Sequence, residues 1–384
     1  GHTNSVFQFE SPGMKSMLKR FKPDCIEDLI LLVAMYRPGP MQYMDHVIAV
    51  KNKEVPMDIK IEELKPLLEP TYGSIIYQEQ VMKIFQILAG YSLGQADLVR
   101  RAMSKKKEEK LKIERKAFLY GDELRSIHGC IKNGIPETEA DALFDDIMEF
   151  AKYCFNKSHA AAYAIVSYQT AYLKYHYPAE FYCAMFNNMD DEFLPVIEDC
   201  QKDHVTILPP DINRSYYEFT IEHGSIRFGL CGIKGIGNSQ IADEIIDCRK
   251  NMLGKGEFTS LDDFFFRTAD MQKLKVLPKK ITESLICAGS FDCFANNREE
   301  LLERYGLLQK IKAKDPKSFQ YAIQQIFKDP FTVCDKKWNH EHEIAVLTAL
   351  ISEDPLSDYK DDAIYGCTPF ENLKNGTHYI MGFL

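Results

Sequence analysis

The chain has 384 residues, 45% hydrophobic and 27% charged, with a formal net charge of −9. That is enough for two or three domains with real cores, in a composition ordinary for globular protein. No apolar run reaches membrane-spanning length, no signal peptide opens the chain, and the overall charge does not announce a nucleic-acid binder. The 11 cysteines include no Cys-x-x-Cys pair, so neither a zinc site nor a disulfide framework is indicated. Free thiols in a reducing cytosol, hence a cytoplasmic location, are expected. The chain opens with Gly1-His2 rather than Met and is expected to be a piece of something longer.

The first half reads as helical. Asp24 is placed to cap a helix over 25–35, which Arg37-Pro38-Gly39-Pro40 stops. A short helix over 61–68 ends at Pro70. Val81, Ile84, Phe85 and Leu88 mark one apolar face of a helix over 77–88. A capped helix over 91–99 sets Arg100 and Arg101 on ordered scaffold. From Arg100 to Lys116 nine basic residues face three acids, a local excess that the overall charge hides. From Lys110 onward a solvated helical face is the simpler account. A long polar helix over 105–121 and an amphipathic one over 137–151 follow.

Phe155-Asn156-Lys157-Ser158-His159 then places an amide, an ammonium, a hydroxyl and an imidazole on four successive residues before a helix over 160–176. Ser158 is a natural N-cap. A helix N-terminus carries unpaired N–H groups and positive partial charge, so the block suits an anion, most simply a nucleotide triphosphate. Plain helix capping is the competing account. The tyrosines at 163, 168, 172 and 175 read as packing residues, with Tyr163 the exception because it lies one turn from the polar cluster.

Near Asp203 the character changes. A short strand over 205–208 precedes Pro209-Pro210, and alternating segments over 217–221 and 225–228 flank His223-Gly224, a hairpin signal. Next comes Leu230-Cys231-Gly232-Ile233-Lys234-Gly235-Ile236-Gly237-Asn238, leading into a helix over 239–249. This resembles a helix-hairpin-helix motif, in which Gly235 and Gly237 let the backbone approach a DNA phosphate, blind to base sequence. A tight structural turn is the alternative. Residues 281–291 read as a degenerate, structural second copy.

Several blocks, in order, carry a wider resemblance: Val6-Phe7-Gln8-Phe9-Glu10-Ser11, Met35-Tyr36-Arg37-Pro38-Gly39-Pro40, Ile76-Tyr77-Gln78-Glu79-Gln80-Val81-Met82, Arg100-Arg101-Ala102-Met103-Ser104-Lys105-Lys106, Phe155 through Tyr163, and Ile207-Leu208-Pro209-Pro210-Asp211-Ile212-Asn213. Together they resemble the alpha subunit of bacterial replicative DNA polymerase III, the C-family polymerases. The likeness is dense from about Val6 to Gly237 and thins after Phe291.

The resemblance implies a mainly α fold. A multi-helical fingers domain over 1–203 would bind the incoming nucleotide. A small α+β segment over 204–360 would carry the helix-hairpin-helix, gripping duplex DNA and binding the sliding clamp. Residues 361–384 would be a linker and the first strand of a truncated β-barrel, the start of an oligonucleotide-binding domain. By this resemblance Arg100 and Arg101 grip the triphosphate, Asn156, Lys157, Ser158 and His159 line its pocket, and Lys234, Gly235, Ile236, Gly237 and Asn238 touch DNA. The clamp peptide of the family is a Gln-led pentamer ending in Leu-Phe. This chain offers Ile323-Gln324-Gln325-Ile326-Phe327, which departs from it.

The family holds its catalytic metals, Mg2+, on an Asp-x-Asp pair plus a third Asp. No Asp-x-Asp occurs in this chain. The expectation is therefore a polymerase segment, inactive alone, with no metal ligands and no catalytic residues of its own. Its partners would be primer-template DNA, deoxynucleoside triphosphates, the clamp and other replisome subunits, with no membrane. A non-enzymatic DNA-binding scaffold with a vestigial nucleotide site is the alternative. A self-contained enzyme using His159 or a cysteine is the third reading, but no catalytic spacing supports it.

Overall fold

The computed structural model describes residues 2–104, 108–150, 153–189, 193–236, 239–251, 256–268, 277–295, 297–310, 317–318, 321 and 336–352. The fold is mainly helical with one small sheet, and it divides into two compact units, Gly1–His176 and Tyr177–Leu384. Among the described residues, no helix is long and apolar enough to cross a membrane.

The first unit contains α1 (Pro12–Phe21), α2 (Ile26–Met35), α3 (Met44–Lys51), α4 (Lys65–Leu68), α5 (Gln78–Ala89), α6 (Leu93–Ser104), α7 (Glu108–Tyr120), α8 (Glu137–Phe150) and α9 (Lys157–His176). One core gathers around Phe85, whose ring lies 5.1 Å from Tyr91, 4.8 Å from Phe118 and 6.2 Å from Phe144. A second core joins α2 to α9. There α9 buries only the small residues Ala160, Ala164 and Ser167 and the stem of Lys174, at helical spacing, so it can lie close against Ile30, Leu31 and Ala34.

Two expected caps are placed otherwise. Asp24 does not cap α2; instead its own N–H donates to the buried Asp28 carboxylate (3.1 Å). Ser158 does not cap α9. The helix starts one turn earlier than expected, and the Asn156 side-chain oxygen accepts the His159 N–H at 2.8 Å, an N-cap bond to the third helical residue. By contrast the cap on α6 is as expected: Ser92 and Gln95 exchange bonds of 3.3 and 2.8 Å.

The second unit contains α10 (Pro178–Asn187), α11 (Leu194–Lys202), β1 (Ile207–Leu208), β2 (Thr220–Glu222), β3 (Ser225–Arg227), α12 (Ser239–Asn251), α13 (Leu261–Arg267), α14 (Lys279–Cys287), α15 (Arg298–Lys310) and α16 (Lys336–Leu347). β3 is central, parallel to β1 and antiparallel to β2, in register Ile221↔Ile226. His223 (φ +52°) and Gly224 (φ +81°) both take the left-handed conformation that the tight hairpin turn needs. The unit begins at Tyr177, ahead of residue 203, because α10 and α11 send Tyr182, Phe186, Val196, Ile197 and Cys200 into the same core as the sheet. Phe186 stacks on Phe219 at 4.7 Å and 15°.

The segment 281–291, expected as a structural second copy, sends Ile281, Leu285, Ile286 and Phe291 into the core of the second unit. Gly289 (φ +83°) leaves room for the Arg298 guanidinium, which a Cβ there would meet. Arg298 is buried and bonds Asp292 (2.7 Å), Glu343 (2.7 Å) and the Cys287 carbonyl (3.1 Å). Glu343, fully buried, also accepts the N–H groups of Ile351 and Ser352. The clamp-like segment 323–327, the residues 361–384 with their expected strand, Lys105–Lys107, Gly237 and Asn238 lie outside the described residues.

Candidate nucleotide and DNA site

Residues 71–80 set the frame of the first site. The Gln80 side chain accepts the N–H groups of Ile76 (2.8 Å) and Tyr77 (2.9 Å) and donates to Thr71 (2.7 Å), which fixes the entry into α5. Phe155 docks beside this entry. Its N–H donates to the Ile76 carbonyl and its carbonyl accepts the Gln78 N–H, both 2.9 Å, a parallel bridge between segments far apart in sequence. The start of α9 is thereby held beside the start of α5.

Gln78 and Glu79 complete the junction. The Gln78 side-chain oxygen accepts Arg100 Nη1 at 3.0 Å. Glu79 accepts the Lys157 N–H (3.0 and 3.1 Å) and the Asn156 Nδ2 (3.0 Å). Arg100 and the 156–159 block therefore meet through two adjacent residues of α5. Both belong to the block Ile76–Met82, where the sequence assigns them no site role; the signal is a Gln-Glu pair on the first turn of a helix.

The cations carry acidic neighbours of their own. Asp97 takes Arg100 (2.7 Å) on one oxygen and Arg101 (2.8 Å) on the other, and the Arg100 hydrogen bond holds its carboxyl below the usual carboxylate range. Arg101 is the more open of the two arginines, with 64% of its side chain exposed against 21%. Lys157 Nζ pairs with Glu27 at 2.9 Å and lies 5.4 Å from the Tyr77 ring centroid. Ser158 and His159 are exposed on the first turn of α9.

An aromatic row runs beside them. His159 lies 5.3 Å from Phe155 and 4.4 Å from Tyr163, and Tyr163 lies 5.3 Å from Phe7. Arg37 covers the Phe155 ring at 4.4 Å. Tyr163, the tyrosine expected to differ from its neighbours, thus joins the polar cluster through His159.

In the second unit, Lys234 and Gly235 are exposed, whereas Ile236 is buried and belongs to the core. The Lys234 N–H donates to the Val346 carbonyl (2.9 Å) and the Ile236 N–H to Ile233 (3.0 Å), so these two backbone donors are occupied within the fold. Gly235 takes φ +100°, and a Cβ there would meet only the Ile281 side chain, at an ordinary contact distance of 3.9 Å.

Sequence comparison bears on both sites. A model described as "Bacterial DNA polymerase III alpha subunit finger domain" matches residues 1–124, and one described as "Helix-hairpin-helix motif" matches 204–301. The DNA polymerase III subunit alpha of Aquifex aeolicus is 39% identical over 97% of this chain and 31% of its own length. Those of Borreliella burgdorferi and Escherichia coli K12 are 42% and 44% identical over 85% and 84% of this chain, and each is covered over 27% of its length. The chain belongs to the DNA polymerase III alpha-subunit family. It spans about a third of the length of the curated relatives it matches. Arg100 and Arg101 fall inside the finger match, the 156–159 block falls after it, and both hairpins fall inside the helix-hairpin-helix match.

Members of this polymerase family need a place for metal, and the described residues offer one carboxylate group dense enough to test, Asp24, Cys25 and Asp28. It does not suit a hard cation such as Mg2+. Asp28 is saturated by Lys51 (2.6 Å), the Tyr72 hydroxyl (2.7 Å) and the Asp24 N–H. Burial alone would raise its pKa, but these bonds hold it below the ordinary value, so a strongly paired carboxylate sits where a ligand would have to be free. Five of the described cysteines are disfavoured as thiolates. Burial pushes the thiols of Cys130, Cys154 and Cys293 up to about 12 and those of Cys231 and Cys287 to about 11, leaving little thiolate near neutrality.

Proposed function

We propose that this chain supplies the incoming-nucleotide site and the duplex grip of a template-directed DNA polymerase of chromosomal replication, working in the cytoplasm. Residues 1–203 act as fingers, 204–360 as the helix-hairpin-helix part that grips duplex and meets the sliding clamp, and 361–384 as the linker into an oligonucleotide-binding part. One observation carries the reading: Arg100 and the Asn156–His159 block, distant in sequence, converge on Gln78 and Glu79.

In this reading Arg100 and Arg101 exchange Asp97 for triphosphate oxygens, forming charge-assisted bonds that strengthen as negative charge builds on the departing pyrophosphate. Lys157 and the α9 N-terminus add positive potential, and His159 with Tyr163 offers a flat surface to a base or sugar. Lys234 and Gly235 approach backbone phosphates without reading sequence. Activation of the primer 3′-hydroxyl would call for a divalent metal, and we assign the ligands of that Mg2+ to carboxylates outside this chain.

The scaffold reading keeps one observation in its favour. Asp97 and Glu27 already neutralise the cations of the site and Glu79 occupies the α9 N-terminus, as they would in a site that no longer takes nucleotide. Primer extension by this chain, with and without the sequence that precedes it in its relatives, tests the proposal. Extension only with that sequence, together with nucleotide-dependent protection of Arg100 from arginine-directed modification, supports it. Chelator-sensitive extension by the chain alone overturns the assignment of metal elsewhere, and absence of protection favours the scaffold.

A further inference from the structure

At the end of α12 away from the hairpin, a pocket of about 560 Å3 is lined by Arg214, Tyr216, Glu222, Arg249, Lys250 and Glu257. Arg249 is 5% exposed. Its Nη1 donates to the Ile212 carbonyl at 3.0 Å and its guanidinium lies 5.0 Å from the Tyr216 ring centroid, but among the described residues no carboxylate pairs with it. The Lys250 ammonium lies 4.9 Å from the same centroid. One tyrosine ring thus holds two cations in place.

The acids in the pocket do not discharge them. Glu222 is engaged by Arg214 (2.7 Å) and Arg227 (2.8 Å). Glu257 forms no ion pair with either cation on Tyr216. Arg214, Arg227, Arg249 and Lys250 thus stand against three carboxylates, Asp211, Glu222 and Glu257. Burying a guanidinium without a direct ion pair is unfavourable, and burial lowers the proton affinity of Arg249 despite the more distant Asp211 and Glu257.

We propose that this pocket binds a phosphate group, with the planar Arg249 fork and the Lys250 ammonium as its two cationic contacts. A guanidinium matches phosphate oxygens in pairs, and an ammonium supplies a mobile second charge. The cation–π contacts hold both groups in position before the ligand arrives. The phosphate comes either from a nucleic-acid backbone or from a free phosphorylated small molecule. Arg249 and Lys250 lie in the last turn of α12, whereas Lys234 and Gly235 precede its first turn, so the length of the helix, about 15 Å from Ser239 to Arg249, stands between the cations and the hairpin turn.

The test uses this chain and three variants. Titration with inorganic phosphate, followed on the arginine Nε–H NMR signals, should give a saturable shift in the wild type. Lys250→Gln, at an exposed position, should weaken binding at least fivefold while the fold persists. Arg249→Lys should do the same, and if it fails to fold the Lys250 result stands on its own. Gly235→Ala should leave phosphate binding unchanged, which separates this pocket from the hairpin reading. Duplex affinity against salt then identifies the source. Loss of one backbone contact lowers the log–log slope by about 0.9. Such a drop in Lys250→Gln assigns the phosphate to a nucleic-acid backbone; phosphate binding with an unchanged slope assigns it to a free small molecule. No saturable shift together with an unchanged slope overturns the proposal.

Discussion

Both oxygens of the Glu79 carboxylate accept the Lys157 N–H, at 3.1 and 3.0 Å, so an acid from the start of α5 sits on the N-terminus of α9. The end of a helix that was expected to attract an external anion is already met by an internal one. Glu79→Ala should leave that N–H and the Asn156 amide without their acceptor. The expected loss is about 1–3 kcal/mol, combining a charge-assisted bond with the helix dipole. Urea denaturation reports it, and an unchanged midpoint would remove Glu79 from the account of how α9 is held.

Arg100→Ala and Arg101→Ala should each raise the apparent KM for nucleotide and lower kcat in the intact polymerase, at a cost of about 2–4 kcal/mol in kcat/KM. Arg100→Ala should also weaken the α5–α6 junction, because it donates to Gln78 as well as to Asp97. Steady-state kinetics of both variants decides this. Wild-type constants in the pair would move the triphosphate elsewhere.

Gly235 holds φ +100°, a conformation that costs an L-residue about 1–2 kcal/mol. Gly235→Ala meets no clash, so its effect should be this strain alone. The hairpin should shift and duplex affinity fall, with nucleotide binding at Arg100 unaffected. Filter binding or anisotropy with two unrelated duplexes checks both the loss and its indifference to base sequence. Equal affinity in a folded variant returns the hairpin to a structural turn.

Glu343→Ala removes one of the two acids paired with buried Arg298, leaving Asp292, and also the acceptor of the Ile351 and Ser352 N–H groups; it should cost about 1–3 kcal/mol. Trp338, the one tryptophan of the chain, sits on the same helix and stacks on His342 at 3.7 Å, so its fluorescence reports the loss. The pair Arg298→Met with Glu343→Leu should recover part of the stability. If the single variant unfolds at the wild-type midpoint, the ion pair is not what fastens α16.

Glu222 titrates within the fold. The Arg227 hydrogen bond, with Arg214 beside it, brings its carboxyl down from 4.5 to about 2. A depressed carboxyl stabilises the folded form above its unfolded pKa and loses that contribution as pH falls through the folded one. Acid unfolding should therefore include an increment between about pH 4.5 and 2. Glu222→Gln should be less stable near pH 7 and should lack that increment. Identical acid profiles for the two proteins would exclude the ion pair as a source of acid sensitivity.

How far the sequence could be read depended on the range of the interaction. Helices α5, α6 and α8 follow from apolar spacing, and the β2–β3 turn follows from His223-Gly224, because these are local. The cap of α9 was misplaced because Asn156 and Ser158 are equally good capping residues, and the choice between them is made by Phe155 bonding to Ile76 and Gln78, a contact across the chain. Asp24 was misread for a related reason: Asp28, Lys51 and Tyr72 form a buried cluster that recruits its N–H instead. Of the site itself, the cations were legible. Asp97 stands one helical turn before Arg100 and Arg101, a local pairing, whereas Glu79 and Glu27 reach Lys157 from positions that only packing brings near.

The bond between Arg298 and Glu343 also has a meaning in time. The two residues are 45 positions apart, and a ribosome adding about 5–20 residues per second takes roughly 2–9 s between them. Through that interval the guanidinium destined for the interior has no Glu343, and the Lys234 N–H has no Val346 carbonyl to meet. The hairpin can therefore reach its final anchorage only after α16 has been synthesised. The contacts that hold Arg100 to α5 involve residues made much earlier, so that junction can form while the second unit is still being translated.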